Sequence, residues 1–451
     1  MILNRRTFFL ASVLILVTLP TFGQNTAPKA EANYPIVFVH GNGDDAAKWV
    51  GILWLFESNG YPKDRLYAIR FSNPAARTDD TKPEANRSST VDAAAELSSI
   101  VTRVLLETHS SKVILVGSSR GGLTIRNYIQ HGGGRNNVAA AILAGTPNHG
   151  VLVSTANPNG EFNGGGHYLQ DLNQAGEDGN EVVAGVRFLT LRSDKLDKYA
   201  QPTGIASGAP QTSTGISFDG PALRGGTNLV LPNLDHRELA FAPAAFREMF
   251  RFVTGAEPKT LTVQPEPTVQ ISGVVTGFAG IAPTNLPLQG IHLKIFAVGK
   301  DGVGDAAPLY AVTTSADGQW GPFNASSTQE YCFDLEMEGR HVRYYKAPLP
   351  RSTALLNLRF APVPRDTATR PAGAELLLIS RPQGYFSRER DPVTVNGNPL
   401  SEEPQGLPVR DSFLTAVNGT KAVYVTLRGE TIIAQPSNDL SKELPIIDFL
   451  W

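Results

Sequence analysis

The pattern of apolar positions changes once along the chain, near residue 267. Before that point, runs of consecutive apolar residues alternate with segments whose apolar residues recur every three or four positions. Continuous runs predict strands buried on both faces, and the recurring spacing predicts helices that cover them. We expect strands at 36–39, 65–71, 113–116, 138–143, 186–191 and 228–231, and helices at 91–107 (with Thr90 as N-cap), 120–129 and 243–252. This alternation predicts an α/β fold with a doubly wound, mostly parallel sheet.

Beyond residue 267, apolar and polar positions alternate in short segments. They lie at 290–298, 310–314, 374–379 and 422–427, and Asp-Gly or Asn-Gly pairs punctuate the region at 317–318, 396–397 and 418–419. This pattern predicts an all-β region of one or two sandwich-like modules, and the prolines of 263–267 predict a stiff linker. The predicted division is an α/β domain at 24–258, a linker at 259–267, and β-modules at 268–338 and 339–451.

The first 23 residues have the organisation of an export signal. Arg5 and Arg6 precede a short apolar run, and the small residues Thr21 and Gly23 follow it. This order is typical of a signal peptide, here with cleavage after Gly23, and the arginine pair resembles a twin-arginine signal. We therefore expect a secreted or periplasmic protein. The alternative is an uncleaved anchor, for which the apolar run is short.

Charge and cysteine content exclude several classes of protein. The 451 residues carry 40 basic and 42 acidic side chains, a balance that gives no basic field for nucleic acid. The single cysteine, Cys332, cannot form an internal disulfide, and its apolar surroundings predict a small buried side chain. No cysteine and histidine spacing matches a zinc site. We expect neither a metal nor an organic cofactor, and the sequence indicates no protein partner.

Residues 117–122 (GSSRGG) follow one predicted strand and open the next helix. A serine hydroxyl is a weak nucleophile unless a base reaches it, and a tight strand-to-helix turn exposes the hydroxyl to such a base. Gly117 and Gly121, two residues to either side of Ser119, allow so tight a turn. The placement therefore predicts that Ser119 is a nucleophile, and the alternative is a glycine-rich turn without chemistry.

A serine nucleophile needs a histidine that takes its proton and an acid that orients the imidazole. Chains with this type of turn have the order serine, acid, histidine. Of eight histidines, His236 lies well beyond Ser119, before the linker and just after a predicted strand; the alternative is a solvated loop histidine. The acid should follow a strand between the two, where residues 188–197 offer Asp194 and Asp197.

The negative charge of a tetrahedral intermediate needs two backbone N–H donors. Arg120, directly after the serine, offers one of them. Residues 40–43 (HGNG), at the end of the first predicted strand, resemble the H-G-x-G oxyanion loop, so Asn42 would offer the other. His40 would then order this loop and transfer no proton.

Together these motifs resemble the α/β-hydrolase superfamily, and within it the bacterial lipases and esterases. Residues 144–150 (AGTPNHG) are similar to the G-T-P-x-x-G stretch that shapes the pocket rim of lipases. Residues 197–202 (DKYAQP) resemble the D-x-x-x-Q-P stretch that carries the acid in several lipases. The resemblance implies Asp197 as the acid, with Asp194 as second candidate, and a structural His149. Ser118 departs from the histidine that many lipases have there.

The resemblance covers 34–255, and the β-region resembles that of archaeal-type lipases, whose C-terminal β-domain is proposed to help lipid binding. Its first part, 273–320, is similar to transthyretin-like or immunoglobulin-like modules. We therefore expect the part beyond Pro265 to matter for insoluble substrates and not for soluble short esters. Two glycine-rich segments, 151–185 and 204–226, adjoin the site; the first is either a mobile lid or a packed surface excursion with a short helix.

The resemblance implies an exported serine ester hydrolase, a lipase that acts on acylglycerols through an acyl-enzyme. Ser119 would attack the ester, His236 would relay the proton and Asp197 would stabilise the imidazolium. Two alternatives remain open: an extracellular polyester depolymerase with the same triad, and a non-catalytic surface-binding protein with a hydrolase shape.

Overall fold

The computed structural model describes residues 34–204, 209–280, 282–303, 307–364, 374–417 and 421–450. The expected signal peptide, 1–23, and the Asn-Gly pair at 418–419 lie outside these ranges. In the ranges described, no helix combines the length and the apolar character that a membrane crossing requires.

The N-terminal half alternates strands and helices. Its strands are β1 (Ile36–Val39), β2 (Leu66–Ala68), β3 (Val113–Ser118), β4 (Val138–Ala144), β5 (Arg187–Ser193), β6 (Thr203–Gly204), β7 (Ala209–Ser213) and β8 (Thr227–Leu231). Its helices are α1 (Val50–Ser58), α2 (Thr90–Thr108), α3 (Arg120–Gln130), α4 (His167–Leu172), α5 (Glu238–Phe241) and α6 (Pro243–Thr254), with short 3-10 turns at Ala46–Trp49, Lys63–Arg65 and Gly134–Asn136. Six strands form a parallel sheet in the order β2-β1-β3-β4-β5-β8, and β6 pairs with β7. The predicted α/β class is confirmed.

Both faces of the parallel sheet are buried. In β1, Ile36 and Phe38 belong to a core shared with α1 and α6, whereas Val37 and Val39 belong to a core shared with α2 and α3. Successive side chains of a strand point to opposite faces, so a sheet covered on both sides needs strands that are apolar throughout.

The cap of α2 differs from the expected one. Ser89, and not Thr90, precedes the helix: its hydroxyl accepts the Asp92 N–H at 3.0 Å, and the Asp92 carboxylate accepts the Ser89 N–H at 2.9 Å. This reciprocal capping box satisfies two donors of the first turn. Thr90 instead donates its N–H and its hydroxyl to Asp80.

In the ranges described, the strands of the C-terminal region form three sheets. The strands are β9 (Val269–Ala279), β10 (Ala282–Pro287), β11 (His292–Ala297), β12 (Tyr310–Thr313), β13 (Gln319–Ala325), β14 (Tyr331–Met337), β15 (Arg340–Lys346), β16 (Leu358–Arg359), β17 (Glu375–Ser380), β18 (Thr394–Val395), β19 (Asn398–Pro399), β20 (Ser412–Val417), β21 (Val423–Leu427), β22 (Glu430–Ala434) and β23 (Glu443–Asp448). A seven-stranded sheet has the order β12-β11-β14-β15-β23-β17-β20. A second sheet contains β10-β9-β13 with β16 beside β9, and a third has the order β19-β18-β21-β22. The predicted all-β character is confirmed.

The seven-stranded sheet is the middle layer of this region. In β14, Phe333 and Leu335 pack in a core with β9 and β13, while Cys332 packs in a core with β18, β21 and β22. Alternate residues of one strand thus serve two cores. Cys332 is buried, as its apolar surroundings predicted.

The seven-stranded sheet continues across the boundary expected between 338 and 339. β14 and β15 pair along their length around a turn formed by Glu338 and Gly339. β15 also pairs with β23 near the end of the chain. The segments 268–338 and 339–451 therefore share one sheet and do not divide at this point. The sequence indicates the turn at Glu338 and Gly339, but whether a turn lies between two modules or within one sheet depends on how the strands on its two sides pair.

Helix α1 joins the two halves. Its Ile52 and Phe56 belong to the α/β core, whereas Val50 and Trp54 belong to the core of the β-region. The Trp54 indole N–H donates to the Ser352 carbonyl at 3.0 Å. The β-region therefore packs directly on the α/β half through a shared helix.

Candidate active site

Ser119 forms the turn between β3 and α3. Its φ of 52° and ψ of −121° lie outside the regions that most residues adopt. A Cβ at Gly117 would lie 2.6 Å from the Gly122 nitrogen, and one at Gly121 would lie 2.3 Å from the Val39 carbonyl oxygen. Both positions therefore exclude a side chain, as the sequence pattern predicts. The strained turn holds the half-buried serine at the carboxyl edge of the sheet.

His236 lies in the loop after β8, and Asp197 follows β5. The Nδ1 N–H of His236 donates to both carboxylate oxygens of Asp197 at 2.9 Å. Their exposed fractions are 4% and 7%, so little water competes for this bond. The Tyr199 ring meets the imidazole edge-on, with centroids 4.6 Å apart. A proton held at Nδ1 leaves Nε2 free to accept one, which is the state a general base requires.

Asp194, the second candidate acid, binds other groups. Its Oδ1 accepts the Lys195 N–H at 2.7 Å and the Asn233 N–H at 3.3 Å. It thus ties the end of β5 to the loop that precedes His236. The structure brings His236 to Asp197 and not to Asp194.

Ser119, His236 and Asn42 line one cavity of about 190 Å³. Its other lining residues are Asp44, Ser118, Pro147, Val151, Phe162, Tyr199, Arg237 and Tyr385. Pro147 comes from the G-T-P run, which was expected at the rim. His149 of the same run lies 3.2 Å from Glu181, through Nε2 and Oε1, and is not part of this lining.

The loop after β1 is held by backbone and side-chain bonds. Asn42 Oδ1 accepts the Ala76 N–H at 2.7 Å, and the Gly43 N–H donates to the Pro74 carbonyl at 3.1 Å. These bonds fix the segment on which Asn42 was expected to supply an N–H donor.

His40 orders the same loop. Its Nδ1 N–H donates to the Gly41 carbonyl at 2.9 Å, and its Nε2 accepts the Phe71 N–H at 3.1 Å. Burial lowers the pKa of His40, which keeps the ring neutral. Both ring nitrogens are engaged by backbone groups, which fits an ordering role.

Arg120 begins α3, so its backbone N–H has no acceptor within the helix. The residue is 2% exposed, and its guanidinium donates to Glu161 at 2.9 Å and to the Pro74 carbonyl at 3.1 Å. The same carbonyl accepts the Gly43 N–H. The Arg120 side chain thus braces the loop of Asn42, a role that the sequence did not indicate.

Family comparisons match both halves of the chain. The family described as lipase (class 2) matches residues 33–184, and the family described as lipase C-terminal domain matches residues 267–363. The chain is an α/β-hydrolase of the lipase family with a C-terminal domain. It is therefore a lipolytic hydrolase of ester substrates. The first match ends before Asp197 and His236, so the geometry alone bears on these two residues.

Several solved structures are similar to this hydrolase. A lipase of Bacillus licheniformis in its mature form is 19% identical with a TM-score of 0.37, and the match covers 50% of this chain and 93% of that one. Lipase B of Aspergillus fumigatus is 14% identical, with a TM-score of 0.37 and coverages of 57% and 65%. Phospholipase PlaB from Legionella pneumophila is 12% identical, with a TM-score of 0.34 and coverages of 92% and 93%.

Charged groups of the hydrolase surround the cavity. Asp44 Oδ1 lies 3.5 Å from Lys48 Nζ and 3.4 Å from Arg237 Nη2. Burial alone would raise the pKa of the Asp44 carboxyl, but the two cations lower this pKa to about 2. Burial, together with the nearby Arg237, lowers the pKa of Lys198 to about 8. Asp44 is therefore ionised at neutral pH.

Within the part of the chain described, no three His, Cys, Asp or Glu side chains are grouped to hold a metal ion.

The 151–185 segment packs on the hydrolase domain. Leu169 and Leu172 of α4 are fully buried against Leu123, and the Tyr168 hydroxyl donates to the Leu123 carbonyl at 3.2 Å. Glu161 is buried on Arg120. Leu169 and Leu172 thus form a small core with Leu123, as the packed excursion with a short helix predicts; the mobile lid stays a hypothesis.

Sequence reasoning missed Tyr385, which the C-terminal region places in the cavity wall. It lies in residues 381–391 (RPQGYFSRERD), and the only local signal is their density of arginine and aromatic residues. Such a run is equally typical of a solvated loop. Tyr385 reaches the cavity wall only because the two halves of the chain pack together.

Proposed function

We propose that this hydrolase is an exported serine lipase that cleaves acylglycerol esters through an acyl-enzyme intermediate. The proposal is carried by the buried contact between Asp197 and His236, whose imidazole lines the cavity that also contains Ser119. A nucleophile at a strained turn, a base with a free Nε2 and an acid that fixes the ring are the three parts that acyl transfer needs.

In the proposed reaction, Ser119 Oγ attacks the ester carbonyl carbon while His236 Nε2 takes the serine proton. Asp197 stabilises the imidazolium, and the backbone N–H groups of Asn42 and Arg120 donate to the oxyanion. The imidazolium then protonates the leaving alcohol as the carbon–oxygen bond breaks, which leaves an acyl-serine. Water, deprotonated by His236, then attacks this ester. The imidazolium returns the proton to Ser119 Oγ as the bond between Oγ and the acyl carbon breaks, and the acid is released.

The residues that line the cavity favour an ester with an acyl chain as the substrate. Pro147, Val151 and Phe162 give the cavity wall apolar surface, and Asn42 and Arg237 add polar groups to it. An apolar wall favours the acyl chain, whereas the polar groups can meet the alcohol part.

The serine mechanism is tested with purified mature protein. Turnover of a chromogenic butyrate ester and covalent labelling by a fluorophosphonate should both be present, with the label on the peptide that contains Ser119. Ser119→Ala should lose both and keep the thermal midpoint of the parent. A variant that still turns over the ester at more than about a thousandth of the parent rate would contradict the mechanism.

The substrate class is tested by a rate profile. Esters of increasing acyl length, emulsified triglyceride and polyester film are compared under equal conditions. The proposal expects activity on the triglyceride emulsion. Release of products from polyester film alone would favour the depolymerase alternative.

Export is part of the proposal and rests on the first 23 residues. Expression of the full chain in a host with twin-arginine export should give a processed protein outside the cytoplasm, with an N-terminus at Gln24. Replacing both Arg5 and Arg6 by lysine should retain the precursor inside the cells. An unprocessed, membrane-bound product would instead support the anchor alternative.

A further inference from the structure

The loop that carries His236 is held from the C-terminal half. Asp235, its neighbour in sequence, is fully buried. The Asp235 Oδ2 accepts the Tyr385 N–H at 2.8 Å and an Arg390 guanidinium N–H at 2.9 Å, and these partners lie 150 and 155 positions away. On the other side of the histidine, Arg237 donates to Asp411 at 2.6 Å.

The bond to Asp235 belongs to a buried ion cluster. Arg381, with 1% exposed, donates to Glu238 Oε1 at 2.5 Å, and Arg390 donates to Glu238 Oε2 at 2.8 Å. Asp391 bridges the two arginines, at 3.4 Å from Arg381 and 2.7 Å from Arg390. Buried charges are tolerated only when each has partners, so the loss of one arginine removes part of the positive charge that compensates the carboxylates beside the histidine.

The same segment forms one wall of the cavity. Tyr385 is 4% exposed, and its ring contacts two cations, with Lys198 Nζ at 3.9 Å and the Arg237 guanidinium at 4.8 Å from the centroid. Lys198 is in turn fixed by donation to the Val409 carbonyl at 2.9 Å. The tyrosine therefore contacts the residues that adjoin Asp197 and His236 in the sequence.

We propose that residues 381–391 of the C-terminal region complete the active site, with Arg381 and Arg390 as positioning residues for His236 and Tyr385 as a determinant of ester selectivity. This inference rests on the proposed role of His236. It reverses the expectation that the region beyond Pro265 serves insoluble substrates alone. Hydrolysis of soluble short esters depends on it as well.

The first test compares two arginines that join the halves. Arg390 is 16% exposed in its side chain and Arg351 is 15% exposed, but Arg351 pairs with Glu57 and Glu266, away from the histidine loop. A displacement of about 1 Å at a reacting group costs on the order of 100-fold. Arg390→Gln should therefore lower kcat for the soluble butyrate ester by about 10–100-fold with little change in KM, while Arg351→Gln should stay within about 2-fold.

Two measurements separate positioning from folding. Near-ultraviolet circular dichroism is used to find a temperature at which Arg390→Gln and Arg351→Gln are both folded. At that temperature, the rate of fluorophosphonate labelling of Arg390→Gln should fall together with its kcat. Arg390→Lys keeps the positive charge but lacks the planar guanidinium with its paired N–H donors, so it should recover part of the lost kcat. Should Arg390→Gln not fold, Arg390→Lys takes its place against Arg351→Lys.

The second test concerns selectivity. Tyr385→Ala should shift the ratio of kcat/KM between a long and a short acyl ester by about 5-fold or more, because it enlarges the cavity beside Ser119. Tyr385→Phe keeps the ring and should leave the ratio close to that of the parent. Equal kcat for the Arg390 and Arg351 variants, or an unchanged ratio in Tyr385→Ala, would overturn the inference. Retained labelling in Ser119→Ala would instead overturn the proposed function.

Discussion

Replacement of Asp197 by asparagine is the sharpest test of the proposed triad. The Asp197 carboxylate accepts the Nδ1 N–H of His236 with both oxygens at 2.9 Å. An asparagine keeps the size of the side chain, but its amide group can donate to Nδ1. Donation to Nδ1 favours the tautomer with the proton on Nε2, and that tautomer cannot accept the Ser119 proton.

The expected loss follows from this change of tautomer. In a serine–histidine–aspartate triad, the same replacement lowers kcat by about 10⁴-fold. At about 1.4 kcal/mol for each tenfold change, this corresponds to roughly 5.5 kcal/mol of transition-state stabilisation. The assay is kcat for the soluble butyrate ester, with the thermal midpoint measured in parallel.

Asp194→Asn is the matched control. Asp194 accepts two backbone N–H groups, from Lys195 and Asn233, and an amide oxygen can accept them as well. We expect a change of less than about 3-fold in kcat. The reasoning is refuted if Asp194→Asn loses more activity than Asp197→Asn, or if the two variants lose equal amounts.

Three further changes test the packing around the site. Gly121→Ala should destabilise the protein by about 1–3 kcal/mol or more in chemical denaturation, because the new Cβ meets a carbonyl oxygen at 2.3 Å; an unchanged midpoint would contradict this contact. Glu161→Ala should cost about 3–5 kcal/mol, because it leaves the buried guanidinium of Arg120 without its carboxylate, and a loss below about 1 kcal/mol would contradict the buried pair. Asp44 should contribute about 2 kcal/mol to the free energy of unfolding, since its pKa falls from 3.8 to about 2 on folding. A group whose pKa falls on folding stabilises the folded state at pH values above its unfolded pKa. The contribution of Asp44 is therefore present above about pH 4 and is lost as the pH falls toward 2. Asp44→Asn should flatten the pH dependence of the free energy of unfolding, measured with urea, over that range, and parallel pH profiles of parent and variant would contradict this.

Much of the α/β half followed from the sequence because its signals are local. The strand predicted at 36–39 is β1, and the run 113–116 lies within β3. The turn at Ser119 was recognisable because Gly117 and Gly121 are required by contacts between near neighbours and an adjoining strand. The histidine at 236 followed from chain order, and its contact with Asp197 agrees with that expectation while its catalytic role stays a prediction.

Other features had no local signal. The turn at Glu338 and Gly339 has the composition of a module boundary, yet β14 and β15 continue one sheet on both sides of it. Asp194 and Asp197 both follow β5, and only the position of the imidazole distinguishes them. The 381–391 segment has the composition of a solvated loop.

The sequence by itself determined the turn at Ser119, the class of each half of the chain, and which side chains could carry ester chemistry. Those properties depend on steric restrictions and hydrogen bonds between residues close in the chain. The tertiary structure alone decided which carboxylate meets His236 and that Tyr385 and Arg390 reach its loop. Contacts across 150 positions form only when the packing of two whole cores brings the segments together, and no local pattern encodes that free energy.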